Sequence, residues 1–161
     1  MPHISYSELK HWSECSWRHK LLYLDKIKIS QGNEHTAFGT SVHETVENLL
    51  LEKISDPYDF FHKKFTEELI KVEISEDTEL ASQMRVQVEG IFELVKPALD
   101  EYFNDKKGWS LVATEEMLYE SITESVVEDY NFKGYIDLIL KDGDGHYHII
   151  DWKTCSWGWD S

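Results

Sequence analysis

The chain has 161 residues, of which 41% are hydrophobic and 13% aromatic, enough to bury one sizeable core, so a single domain over residues 1–161 is expected. Its 16 Lys and Arg against 31 Asp and Glu give a net charge of −15, which opposes approach to a polyanion unless carboxylate-held cations supply positive charge locally. MPHISYSELK lacks a secretory-signal pattern, no apolar run approaches the ~20 residues of a membrane span, and Cys15 and Cys155 are too few for a disulfide framework. The expectation is a soluble, cytoplasmic protein with reduced thiols and no membrane partner.

The first segment reads as a helix from Ser5 to Tyr23, with Ser5 and Glu8 at capping-box spacing and Leu9, Trp12, Leu21 and Leu22 among its apolar positions. After a polar stretch at Ser30–His35, a second helix is predicted from Thr36 to Ile54, because Phe38, Val42, Val46, Leu49 and Leu50 recur at helical spacing. Asp56 and Pro57 suit the N-cap and first position of a third helix, which carries Phe60, Phe61, Phe65, Leu69 and Ile70. Leu80, Met84, Val88, Ile91, Val95 and Leu99 then predict one long helix from Asp77 to Asn104, kinked or interrupted at Pro97.

The pattern changes near Gly108. WSLVA, MLYESI, YNFKGYIDLIL and HYHIIDW are rich in β-branched and aromatic residues and read as strands. Asp142-Gly143-Asp144-Gly145 is a turn signal that makes the last two an antiparallel hairpin. The fold class is therefore α+β (α/β), a helical N-terminal two thirds packed on a small mixed β-sheet.

In the hairpin, Asp137 interrupts the apolar run Tyr135–Ile139 and Asp151 ends Ile149-Ile150, where a carboxylate is costly unless a cation compensates it. Strand alternation puts Asp151 and Lys153 on one face, so a cation-binding carboxylate and an ammonium can address one phosphate. With a loop from Lys141 to Gly145, residue 137 lies opposite 149 and Asp137 becomes the diagonal neighbour of Asp151, at about 7 Å or less. Two carboxylates so placed can share Mg²⁺ or Mn²⁺. On the second helix, His43 is a candidate third ligand, with Glu47 on the same face, and Gly39 and Ser41 would allow close approach to the sheet.

ISYSELKHWSECSWRHKLLYL, FGTSVHETVENLL, FKGYIDLIL and IIDWKT together resemble the RecB-like branch of the PD-(D/E)XK nucleases, a superfamily of metal-dependent DNA-cutting enzymes. The resemblance implies a restriction-endonuclease-like core with Asp137, Asp151 and Lys153 as catalytic residues. The metal ligands it implies are His43, Asp137, Asp151 and the Trp152 backbone carbonyl. Glu47, Glu115 and Glu116 are further acidic candidates. In this branch a helix with a glutamine and tyrosine motif follows the IIDWKT strand, whereas the sequence stops at Ser161, so a fragment, a minimal variant or a protein completed as a homo-oligomer is expected. Some members hold a four-cysteine iron–sulfur cluster. No such cluster is expected here, and Cys15 is expected to be a core residue of the first helix.

Other patterns have plainer readings. His43-Glu44 lacks the second histidine of a zinc-protease helix, since Glu47 stands there. The Asp142–Gly145 stretch lacks the later ligands of a calcium loop. His146 and His148 share a strand face and could bind zinc as a pair, but an exposed strand face is the favoured reading. Trp157 and Trp159 could stack on bases or pack on a neighbouring surface. The expected function is that of a Mg²⁺- or Mn²⁺-dependent deoxyribonuclease, an exonuclease of DNA recombination or repair. The alternative is a non-catalytic nuclease-like module that docks to a DNA-processing partner protein, which the net charge favours.

Overall fold

The computed structural model describes residues 3–27, 32–122 and 130–154; Cys155, Trp157 and Trp159 lie outside them. The chain forms two compact units, residues 1–30 with 115–136 and residues 31–114 with 137–161. Each takes part of two long strands, β2 (Trp109–Ser121) and β3 (Asn131–Asp142). Helices and a small mixed sheet make the expected α+β fold.

In the first unit, β1 (His3–Ser5) pairs in parallel with the start of β3, His3 opposite Asn131 and Ser5 opposite Lys133. Two short helices, α1 (Tyr6–Glu14) and α2 (Ser16–His19), and a π-helical turn at Lys20–Leu24 follow. Ser5 caps α1 by accepting the Glu8 N–H at 3.2 Å. The Glu8 carboxylate does not close the box, since it pairs with His19 Nε2 at 2.9 Å. The single helix expected from Ser5 to Tyr23 is broken at Cys15, whose backbone is extended. Cys15 is exposed, not a core residue as expected, because it ends α1 and caps α2, its Sγ accepting the Arg18 N–H at 3.5 Å.

The second unit holds α3 (Glu34–Leu50), α4 (Pro57–Lys71), α5 (Glu79–Gln87) and α6 (Ile91–Tyr102). The Asn33 side chain starts α3 two residues before the apolar pattern does, by accepting the Thr36 N–H at 3.0 Å. Asp56 and Pro57 open α4 as expected. The predicted stripe of α3 supplies Val42, Val46 and Leu50 to a core shared with Phe61, Phe65 and Leu69 of α4 and Leu138 and Leu140 of β3. Full burial of each such side chain contributes roughly 1.5–3 kcal/mol.

The expected helix from Asp77 to Asn104 is two helices, and the break falls at Gly90 instead of Pro97. Gly90 adopts φ +83°, a conformation that ends helical continuity cheaply only for glycine. Pro97 sits inside α6; the carbonyl it deprives of a helical donor, that of Glu93, belongs to an exposed residue that water can reach. WSLVA and MLYESI join as one strand, β2, with left-handed Glu115 (φ +48°) between them.

The end of β3 and β4 (Tyr147–Ile150) form the expected antiparallel hairpin. Its register differs from the expected one: Ile139, not Asp137, stands opposite Ile149, and Leu138 faces Ile150. A shift of two residues preserves facial parity, and continuing the register places Asp137 across from Asp151 rather than diagonal to it. Among the described residues no helix is long and apolar enough to cross a membrane.

Candidate metal centre

Helix α3 can bring an imidazole against the strands because of what surrounds His43 in sequence. Gly39 lies so close to Thr154 that a Cβ there would stand 3.1 Å from Oγ1, so only a small residue permits this approach. Ser41 and Thr45 are buried, yet their hydroxyls donate to the carbonyls of Ala37 and Ser41, both at 2.7 Å, so that face is buried without unpaired polar atoms. His43 remains half-buried, and its Nδ1 lies 3.5 Å from Oδ2 of Asp137.

Asp137 enters from β3 with its side chain only 15% exposed. The same oxygen accepts the backbone N–H of Trp152 at 2.8 Å, which fixes the carboxylate and ties the segment leaving β4 to β3. Glu115, which follows Thr114 directly along β2, is exposed and belongs to the first unit. The imidazole nitrogen of His43 and the carboxylate oxygen of Asp137, both partly withdrawn from water, are donors that a divalent cation takes.

The remaining sequence candidates are placed differently. Asp151 does not belong to that group; its Oδ1 pairs with Lys153 Nζ at 2.7 Å, both side chains being more than half exposed. Glu47 is anchored by Thr114, whose Oγ1 donates to Oε1 at 3.1 Å. Glu116 is exposed on β2.

His146 and His148 do not form an isolated pair. Both rings address Asp142, through His146 Nδ1 at 3.3 Å and His148 Nε2 at 3.0 Å, and His148 is largely covered. Asp142 is itself buried and accepts the N–H groups of Asp144 and His146 at 3.0 and 2.8 Å. The His148 hydrogen bond, with these donors, holds its carboxyl well below the usual carboxylate range. Asp142 therefore locks the turn that was expected here.

Thr114 and Thr154 were not singled out from the sequence. Each stands next to a candidate acid or lysine, but only the contact with α3 distinguishes it from any other strand threonine.

The fold and this half-buried imidazole–carboxylate group define a class: an α+β protein with the donors of a divalent-metal centre. A family model of the PD-(D/E)XK nuclease superfamily matches residues 3–159, and the chain belongs to that superfamily, whose members are nucleases that use divalent metal ions. Compared with curated proteins, the chain matches none.

Proposed function

We propose that residues 1–161 act as one nuclease domain, a cytoplasmic Mg²⁺- or Mn²⁺-dependent deoxyribonuclease of the RecB-like branch that degrades DNA from its ends in recombination or repair. The observation that carries this reading is the approach of His43 to Asp137, from α3 and β3, in a chain matched by the superfamily over nearly its full length. His43 and Asp137 would hold the ion, with the Trp152 carbonyl as a further ligand. A divalent ion there supplies Lewis-acid polarisation of a phosphodiester and activation of water.

The chain's own residues then divide the work. The Trp152 N–H orients Asp137, and Thr114 restrains Glu47 beside the centre. Lys153 supplies an ammonium to orient the nucleophile or offset charge developing on the phosphate. Asp151 completes the acidic set by exchanging its exposed pairing with Lys153 for the cation; exposed pairs of this kind are held weakly, by about 1 kcal/mol or less.

The test is incubation of purified protein with linear, circular and single-stranded DNA in Mg²⁺ or Mn²⁺. Degradation that needs metal and free ends, and that Asp151→Ala and Lys153→Ala abolish without altering the circular dichroism spectrum, is expected. Cleavage retained in both variants would defeat the assignment of roles. No degradation with any metal would favour the non-catalytic module, the reading that the net charge of −15 supports.

A further inference from the structure

A groove of about 440 Å³ opens beside the candidate centre, between α3, α5, α6 and residues Trp152–Thr154. Its wall is apolar, built from Phe38, Val42, Val46, Met84, Val95 and Trp152. Among the described residues no Asp or Glu lines it, in a chain that carries 31 of them. His43 and Lys153 belong both to the groove and to the candidate site, so a ligand whose phosphate sits at the centre has its next group at the groove mouth.

Resting on the nuclease reading above, we propose that this groove receives an unpaired nucleobase next to the scissile phosphate, so that the substrate is single-stranded or unwound DNA rather than intact duplex. A duplex presents phosphates and hides the faces of its bases, and a chain of net charge −15 gains little from phosphates. Affinity must then come from uncharged surface. An unpaired base offers a π-face to Phe38, Trp152 and the aliphatic wall, while Gln87 and Thr154 in the lining offer polar groups to its edge. The size also fits, since pockets for small organic ligands span roughly 300–1,000 Å³ and a single nucleoside needs the lower part of that range.

The decisive measurement is fluorescence anisotropy of labelled oligonucleotides in EDTA, which reads binding without metal or cleavage. Oligo-dT should bind about tenfold or more tighter than an abasic backbone of equal length, and tighter than a blunt duplex, as stacking of even one base predicts. Ile91→Glu alters an exposed residue of the lining and places an acid at the groove; it should remove the preference for dT while the rise in melting temperature produced by Mn²⁺ stays as in the parent. Phe38→Ala should weaken dT binding in the same direction. Equal binding of dT and abasic strands, or an unchanged preference in Ile91→Glu, overturns the proposal. A dimer in ultracentrifugation that Ile91→Glu dissociates, with base-independent binding, would assign the groove to a second copy of the chain and also overturn it. Base-dependent binding with no cleavage in any metal would instead sink the nuclease reading, so the two failures are distinguishable.

Discussion

The Asp137 carboxylate accepts the backbone N–H of Trp152 at 2.8 Å, through the oxygen that also faces His43. One side chain thus has two tasks, holding the segment after β4 in place and presenting charge to a cation. The tasks separate by substitution. Asn keeps a carbonyl oxygen that can accept the Trp152 N–H but carries no charge, whereas Ala keeps neither. Asp137→Asn should therefore unfold within roughly 1 kcal/mol of the parent and Asp137→Ala should lose about 0.5–1.5 kcal/mol more. Both should lose the thermal stabilisation conferred by Mn²⁺. A Mn²⁺-induced shift of parental size in Asp137→Asn would remove Asp137 from the ligand set.

Gly39 sets how closely α3 approaches Thr154. Adding a methyl group in a helix interior gains up to about 1 kcal/mol of helix propensity, but here the Cβ would stand 3.1 Å from Oγ1 of Thr154. Gly39→Ala should leave stability almost unchanged, within roughly 1 kcal/mol, because gain and clash offset each other. Its effect should fall on function, by moving His43 or the Trp152–Thr154 segment, and should appear as weaker Mn²⁺ binding in calorimetry. Thr154→Ala removes the clashing oxygen, so the double variant should recover the parental affinity. Failure of that rescue would mean that the close approach does not position the centre.

Sequence periodicity reported α3, α4 and the hairpin well because each buries one continuous face: Val42, Val46 and Leu50, then Phe61, Phe65 and Leu69, recur at the helical interval that burial demands. It could not report the break at Gly90, since Met84 and Val88 before it and Phe92 and Val95 after it are all buried and the apolar pattern continues across the gap. Parity along the hairpin placed Asp137 and Asp151 on one face, yet the register was wrong by two residues. The turn residues alone do not fix where a ladder begins; the buried Asp142, held by both histidines, closes the turn here. His43 and Asp137 were visible as chemistry out of place in apolar runs. Glu115 was one of several acids on an acidic strand, and nothing local marked its left-handed backbone.

The break between α5 and α6 yields an opposed pair of expectations. Gly90→Ala forces a residue with a Cβ into φ +83° and should cost about 1 kcal/mol, although no neighbouring atom would meet the new methyl group. Pro97→Ala restores an N–H to the interior of α6 and should stabilise or leave the fold unchanged. Urea unfolding of both variants checks this directly. A destabilising Pro97→Ala with a neutral Gly90→Ala would return the break to the proline.

The buried carboxylate of Asp142 gives the fold a pH signature of definite sign. The His148 hydrogen bond lowers its pKa in the folded chain below the unfolded value of about 3.9. The folded state therefore binds fewer protons, and the stability contributed by the ionised carboxylate is fully present above the unfolded value. It is lost only as pH falls through the lower, folded value. Asp142→Asn removes the charge at every pH. The difference in melting temperature between parent and variant should be large and flat from neutral pH down to about pH 5, then shrink steadily through the acid range below about pH 4. His148→Ala takes away the largest cause of the shift, so it should shrink the difference and end its decline at a higher pH, while the start stays at the unfolded value. A difference that is already closing between pH 7 and pH 5 would show that ionised Asp142 is not what holds the β3–β4 turn.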